Sequence, residues 1–362
     1  MRIKKVALLT GGGDCPGLNA VIRAITRRGI MEYGWEIIGF RDGYRGLVLN
    51  DWQPLTYDNV SGLLDRGGTV LGTSNRDNPF NFRLSTAEGV EYRDMRHAVA
   101  QNLEHNGVDA LIVIGGDGTM AAAQKFADMG LPLVGVPKTI DNDILHTDFS
   151  FGFHTAVDTA TDALDKLHST AESHHRLMLL EVMGRYAGWL ALASGLAGGA
   201  DVILLPEIPY RLERIAETVS ARRKRGRQYS LIVVSEGVRH SEAGLMVRHT
   251  VADSPDRLRL GGISSLLAAE LAELTGSEAR AMVLGHLQRG GRPNPFDRLL
   301  ATRFGAAAAA AVQEGAFGHM VALKGRDIVR VPLALVAAGQ RLVPPDEELL
   351  CVGRAIGVSF GD

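Results

Sequence analysis

The sequence predicts an α/β fold, a mostly parallel sheet covered by helices on both faces. Short apolar runs end at glycine or proline, these runs are continuous rather than alternating, and amphipathic segments lie between them. Strands buried on both faces read as continuous apolar runs, and their alternation with helices is the pattern of a doubly covered parallel sheet. Glycine agrees, at 43 of 362 residues, where about 7% is usual. Glycine clusters stand where a backbone turns sharply or approaches a ligand closely.

In chain order, Val6–Thr10 (VALLT) is a strand that runs into Gly11-Gly12-Gly13, and Leu18–Tyr33 is an amphipathic helix. Ala110–Ile114 (ALIVI) is the next strand, Met120–Met129 a helix, and Leu133–Val136 a strand stopped by Pro137. Thr155–Ser169 places Ala156, Val157, Ala160, Ala163, Leu164 and Leu167 at helical spacing. A composition change at Pro206–Pro209 marks a crossover to a second lobe. The helical stretch from Leu212 closes on the basic run Arg222–Arg227, where cations suit a helix carboxyl end. Leu231–Ser235 and Ala281–Leu284 are strands, and the six alanines Ala306–Ala311 fit a closely packed helix.

Composition bounds the function. Apolar residues make up 46% and charged residues 22%, an ordinary globular balance with material for a sizeable core. The length suits two domains or one large α/β domain. Lys plus Arg number 39 against 41 Asp plus Glu, a net charge of −2, without the positive excess of a nucleic-acid binder. Two cysteines, Cys15 and Cys351, exclude a disulfide framework and a Cys-rich zinc site and fit a reducing compartment. The amino terminus lacks a signal-peptide core. No apolar run reaches the ~18 residues of a membrane span. A cytoplasmic location is expected, with neither nucleic acid nor membrane as partner.

Five segments carry chemistry. Gly11-Gly12-Gly13-Asp14-Cys15-Pro16-Gly17-Leu18-Asn19 joins a strand to a helix, where backbone N–H groups can hold phosphate. It is neither a dinucleotide fingerprint nor a Walker loop, because Pro16 and Leu18-Asn19 stand at the deciding positions. A plain tight turn is the other reading. Gly115-Gly116-Asp117-Gly118-Thr119 offers glycines for a phosphate chain and Asp117 for Mg²⁺, against an ordinary Asp-Gly turn. Pro137-Lys138-Thr139-Ile140-Asp141-Asn142-Asp143 places two carboxylates and a hydroxyl after a strand. One Asp there can take a proton from an attacking alcohol. Arg176 with Met183-Gly184-Arg185, and Arg280 with His286-Leu287-Gln288-Arg289, set arginines among glycines. Guanidinium forks suit a phosphate monoester, so the acceptor is read as a sugar phosphate. His174 and His175 lack ligand spacing.

Together GGGDCPGLNA, RGGTVLGTSN, GGDGT, PKTIDND, EVMGRYAGW and LGHLQRGG resemble the 6-phosphofructokinases, over roughly the first 300 residues and in the family's order. The match is nearest the branch that mixes ATP- and pyrophosphate-using members. The resemblance implies two Rossmann-like lobes with the active site between them: a donor lobe at 1–137 completed by carboxyl-terminal segments, a sugar-phosphate and interface lobe at 138–330, and an extension at 331–362. It implies glycolytic phosphorylation of fructose 6-phosphate at its 1-hydroxyl with Mg²⁺ as cofactor.

By matched position, Asp141 is the base, Thr139 orients it and Arg185 stabilises transferring charge. Asp117 engages Mg²⁺. Gly13, Arg76, Asp77, Gly116, Asp117, Gly118 and Thr119 face the donor, with TSNRDN locally reshaped. Thr139, Ile140, Asp141, Met183, Gly184, Arg185, Glu236, His286, Leu287, Gln288 and Arg289 line the substrate site. Arg176 and Arg280 match arginines given across a subunit interface, so a homo-oligomer is expected, a tetramer ahead of a dimer. Gly118 favours ATP, because in the family Asp there fills the α-phosphate space and goes with pyrophosphate. Lys138 is the departure, since lysine there accompanies pyrophosphate use. A pyrophosphate-dependent enzyme, another GGDGT kinase acting on NAD or lipid, and a non-catalytic regulatory paralogue are the rival readings. The segment 238–262 and the residues after Arg330 depart from short bacterial members.

Overall fold

A computed structural model describes residues 3–86, 89–240, 244–245, 249–250, 258–259 and 261–362. Most of the expected insert at 238–262 lies outside the described residues. Two parallel sheets organise the rest. The first, eight-stranded among the described residues, runs in the order 327–332, 319–324, 133–139, 110–115, 5–10, 36–40 and 52–54, with Phe151–Gly152 paired to the end of Leu133–Thr139. Its strands are parallel except for the antiparallel pairs at the two edges. The second sheet runs 202–204, 230–235, 177–182, 279–283, all parallel.

The predicted strands and helices stand where the apolar runs put them, with shifted ends that have local causes. The helix expected at Met120–Met129 spans Asp117–Asp128, so GGDGT supplies its first turn rather than a loop. An acidic residue in the first turn suits the positive end of the helix dipole. The helix expected at Thr155–Ser169 spans Phe153–His174. It starts at Gly152, whose φ of 102° ends the strand before it, and stops where His175 turns left-handed.

The alanine run lies in the helix Pro295–Gln313, and Ala308, Ala309 and Ala311 are fully buried. That helix packs on Leu18–Tyr33. A Cβ at Gly305 would stand 2.8 Å from both Ala24 Cβ and Val21 O, so the small residues let the two backbones approach. No helix among the described residues is long and apolar enough to cross a membrane.

The residues after 318 connect both sheets. Strands His319–Lys324 and Asp327–Pro332 extend the first sheet, although the expected lobe boundary at 330 put 319–330 with the second lobe. Further on, Ile203 N donates to Ser359 O at 2.9 Å on the second sheet, and Phe360 is fully buried. The sequence reading expected carboxyl-terminal segments with the donor lobe but named none of them, because sheet pairing is nonlocal.

Candidate active site

Every motif segment except RGGTVLGTSN leaves the carboxyl end of a parallel strand, where ligands gather in open α/β sheets. In the first sheet these are Gly11, Gly116 and Ile140, after strands paired side by side. In the second they are Met183, Glu236 and Leu284. The two sets meet: Arg289 Nη1 donates to Asp14 O at 3.3 Å.

The glycine loop is tied down by its neighbours. Gly11 N donates to Ile114 O at 2.8 Å, and Gly12 N to Ser74 O at 3.0 Å. Thr73 Oγ1 donates to Gly12 O at 2.6 Å. Asn19 grips the RGGT segment, donating to Arg66 O and Gly67 O and accepting from Val70 N. Lys138 is buried and its Nζ donates to Gly13 O. Burial lowers the ammonium's proton affinity, and Arg289 adds to the effect.

Asp77 accepts from Ser74 Oγ and lies 3.9 Å from Arg45. Arg76 and Asp77 line a cleft of about 370 Å³ with Arg45, Leu49, Phe82 and Arg83. Tyr44, beside Arg45, donates its hydroxyl to Thr119 O at 3.0 Å, which fixes this wall against the GGDGT helix. Gly118 is exposed, and a Cβ there would meet nothing within 4 Å.

Thr139 ends its strand and its Oγ1 accepts from Asp141 N at 3.1 Å. Asn142 adopts φ 52° and accepts from Ser150 N, which turns the chain sharply after Asp141. Asp141 Oδ1 and Asp143 Oδ1 are buried without a partner. Burial raises the Asp141 carboxyl above the ordinary range against the pull of Arg289, and Asp117 raises it further while Lys138 and Arg185 oppose. Asp143 is pushed up to about 8, by burial first and then by Asp141 and Asp117.

On the facing side, Gly184 takes φ 128° and its carbonyl accepts from Ser235 Oγ. A Cβ at Gly237 would stand 1.8 Å from Arg185 O, so only glycine lets the Glu236 segment pass. Glu236 is pushed up to about 7, by burial first and then by Asp141. Gln288 is fully buried, accepting from Met183 N at 3.3 Å and donating to Gly285 O at 3.1 Å. This locks the 3₁₀ turn Gly285–Arg289 against the MGR segment. Ile140 and Met183 are buried, whereas His286 and Leu287 are exposed.

The structure therefore brings Gly13, Asp117, Lys138, Thr139, Asp141, Arg185, Glu236 and Arg289 together about Asp141, where the carboxyl ends of the two sheets meet. Arg176 and Arg280 stand apart. They lie at the opposite, amino-terminal ends of strands Leu177–Val182 and Ala279–Val283, about 23 Å from Met183 for Arg176 and about 13 Å from Leu284 for Arg280 at ~3.3 Å per residue. Both pair with Glu278, Arg176 Nε at 2.8 Å. The sequence reading did not single out Arg45, Arg83 or Gln340. Arg83 belongs to no glycine-bounded motif, Arg45 stands in Gly43-Tyr44-Arg45-Gly46, a glycine-bounded signal that could have found it, and Gln340 donates to Asp117 from 223 residues away.

Asp117 and the unpaired Oδ1 of Asp143, which Gln340 Nε2 joins through their Oδ2 atoms, fit a divalent cation shared with phosphate oxygens, because Mg²⁺ takes one or two carboxylates and completes its shell from the substrate.

A family model described as Phosphofructokinase matches residues 5–312. The chain is similar to the ATP-dependent 6-phosphofructokinase 2 of Clostridium perfringens, 52% identical over 362 residues and 99% of each chain. It is 53% identical over 343 residues to the pyrophosphate–fructose 6-phosphate 1-phosphotransferase of Amycolatopsis methanolica, covering 94% of this chain and 97% of that one. Among solved structures, Pichia pastoris phosphofructokinase in the T-state matches with a TM-score of 0.81 and 33% identity over 93% of this chain, which spans 35% of the yeast chain.

Proposed function

The chain belongs to the phosphofructokinase family, and on that premise we propose that it is a cytoplasmic ATP-dependent 6-phosphofructokinase. It transfers the γ-phosphoryl group of ATP to the 1-hydroxyl of D-fructose 6-phosphate and forms D-fructose 1,6-bisphosphate. The observation that carries this reading is Asp141 Oδ1: buried, without a partner, and set among Arg289, Lys138 and Arg185. A carboxylate whose proton affinity is raised and whose one oxygen is unspent suits a general base.

In this reading Asp141 takes the proton of the 1-hydroxyl as its oxygen bonds the γ-phosphorus and the bond to the β-phosphate oxygen breaks, leaving ADP. Thr139 holds the Asp141 backbone by the bond from Asp141 N. Arg185 faces the charge that develops in transfer. Met183, Gly184, Glu236 and the His286–Arg289 turn hold the sugar phosphate. Gly13, Gly116, Asp117 and Thr119 hold the donor phosphates, with Asp117 the ligand of Mg²⁺, which when bound neutralises phosphate charge.

Gly118 and the neighbouring cleft support ATP. The space before Gly118 is open, and the 370 Å³ cleft at Arg76 and Asp77 gives room for a donor larger than pyrophosphate. Pyrophosphate is the second reading, favoured by Lys138 at Gly13 and by the Amycolatopsis relative. Arg176 and Arg280, remote from their own chain's cleft, serve the neighbouring subunit's sugar phosphate in a homotetramer. The deciding experiment is a coupled assay of fructose 1,6-bisphosphate formation with ATP or pyrophosphate. Turnover with ATP is expected. Turnover with pyrophosphate alone supports the second reading, and no turnover with either sinks both.

A further inference from the structure

Gln340 lies outside every motif and reaches the centre of the site. Its Nε2 is 2.8 Å from Asp117 Oδ2 and 3.3 Å from Asp143 Oδ2. The backbone around it is tied to segments that follow strands of both sheets. Gln340 bridges Ile144 in antiparallel fashion, and Arg341 N donates to Asp143 O at 2.8 Å. On the other side, Trp189 Nε1 donates to Arg341 O and Val343 N to Glu207 Oε1, each at 2.9 Å. The side chain is thereby aimed at the two carboxylates by main-chain bonds on either flank.

The chemistry at this point is specific. Two carboxylates turned toward one place repel. A lysine or arginine would offset the repulsion but would add a positive charge beside a cation site. A primary amide offers two N–H donors and no net charge, so it can hold both carboxylates and leave their field for a cation. Asp143 Oδ1 stays buried without a partner, and only Oδ2 of Asp117 is taken by the amide.

We propose that Gln340 is a positioning residue for the cation site, holding Asp117 and Asp143 at a fixed spacing so that Asp117 keeps one oxygen for Mg²⁺. This rests on the reading of Asp117 as the Mg²⁺ ligand. It assigns to the carboxyl-terminal strap a role in loading the donor that none of the sequence motifs carries.

The test is Mn²⁺ binding, with Mn²⁺ as the probe, measured by electron paramagnetic resonance on the full chain with the β,γ-imido analogue of ATP. Gln340→Met keeps the length and removes the donors. Loss of a partner that orients a metal ligand costs about 10–100-fold in metal affinity, and a weakening in that range is expected. The Mg²⁺ concentration for half-maximal turnover should rise in step, with the KM for fructose 6-phosphate within twofold. Gln340→Asn keeps the amide one methylene short and should weaken binding in the same direction; it decides the matter if the Met variant does not fold. Mn²⁺ affinity within twofold of wild type overturns the proposal, even with a lowered Tm, since that is the mark of a purely structural strap. Failure of both variants to fold overturns it likewise. The titration contains no acceptor, so its outcome is independent of whether wild type phosphorylates fructose 6-phosphate.

Discussion

On the proposed reading, Asp141 and Gly118 act by opposite means, one by the group it presents and the other by the space it leaves. Asp141→Asn keeps the size and the backbone bond to Thr139 Oγ1 but cannot take a proton. A general base contributes about 10²–10⁴-fold, so kcat should fall in that range with the KM values little changed; a loss under tenfold contradicts the role. Gly118→Asp is a clean experiment, because a Cβ there meets no protein atom within 4 Å and any loss belongs to the donor. Unit charges 4 Å apart at an effective dielectric of 20 interact by about 4 kcal/mol, enough to lower kcat/KM for ATP by about a thousandfold. Pyrophosphate carries no adenosine-linked phosphate, so its kcat/KM should not fall in parallel; full retention of ATP efficiency contradicts the steric gate. Both residues were legible in the sequence because each sits in a contiguous motif after a strand. Gln340 was not, since its partners lie 223 and 197 residues away and no local pattern marks such a contact. Lys138 was visible as a departure, but its hold on Gly13 O shows only in three dimensions.

At the scale of elements, helix starts do much of the positioning. Asp297 lies in the first turn of Pro295–Gln313 and accepts from Thr155 N at 2.8 Å and Thr155 Oγ1 at 2.6 Å. It thus joins that helix to the start of Phe153–His174. The latter follows Phe151–Gly152, which pairs with Lys138 and Thr139, so the bond braces the strand that ends before Asp141. Asp297 is pushed up to about 6, chiefly by burial, whereas an unfolded Asp titrates near ~3.9. Between those values the folded chain holds the proton and the unfolded chain does not, so this group's contribution to stability falls as pH rises from about 4 through 6. Asp297→Asn lacks that dependence. The Tm of wild type minus that of the variant should drop between pH 5 and pH 7.5 in thermal melts, and a flat or rising difference contradicts the assignment. Apolar runs made the strands legible, since burial on both faces leaves no alternation. Helix ends were less so: the start at Asp117 depends on Gly116 being extended, which glycine permits but does not dictate.

For the whole molecule, the two sheets present their carboxyl ends to one cleft, while Arg176 and Arg280 sit at the far ends of their strands, tied to Glu278. An assembly that brings these arginines to a neighbour's cleft predicts complementation. Inactive Asp141→Asn chains mixed with inactive Arg280→Ala chains, dissociated and reassociated, should regain a fraction of wild-type turnover. Sedimentation of the wild type at assay concentration should show the oligomer. A fully active monomer, or no recovery in the mixture, contradicts shared sites. Fold class was legible because glycine-bounded apolar runs recur in order. Which carboxyl-terminal segment joins the first sheet was not, because the strand beside Leu133–Thr139 comes from residues 319–324, far off in sequence.

That returning strand also sets an order of assembly during synthesis. Until residues 319–332 leave the ribosome, the first half of Leu133–Thr139, around Val134 and Gly135, has a bare hydrogen-bonding edge on its outer side, the kind of edge that recruits foreign strands. The second sheet, whose strands fall within residues 177–283, can pair before that edge is closed. A nascent chain halted before residue 319 thus carries a folded half beside an adhesive one and is the species on which a chaperone would act. Closure waits for sequence-distant pairing, a slow step in folding. Asp141, just past the end of that same strand, gains its complete surroundings only once translation has passed Gln340, which bonds Asp117 and Asp143 beside it.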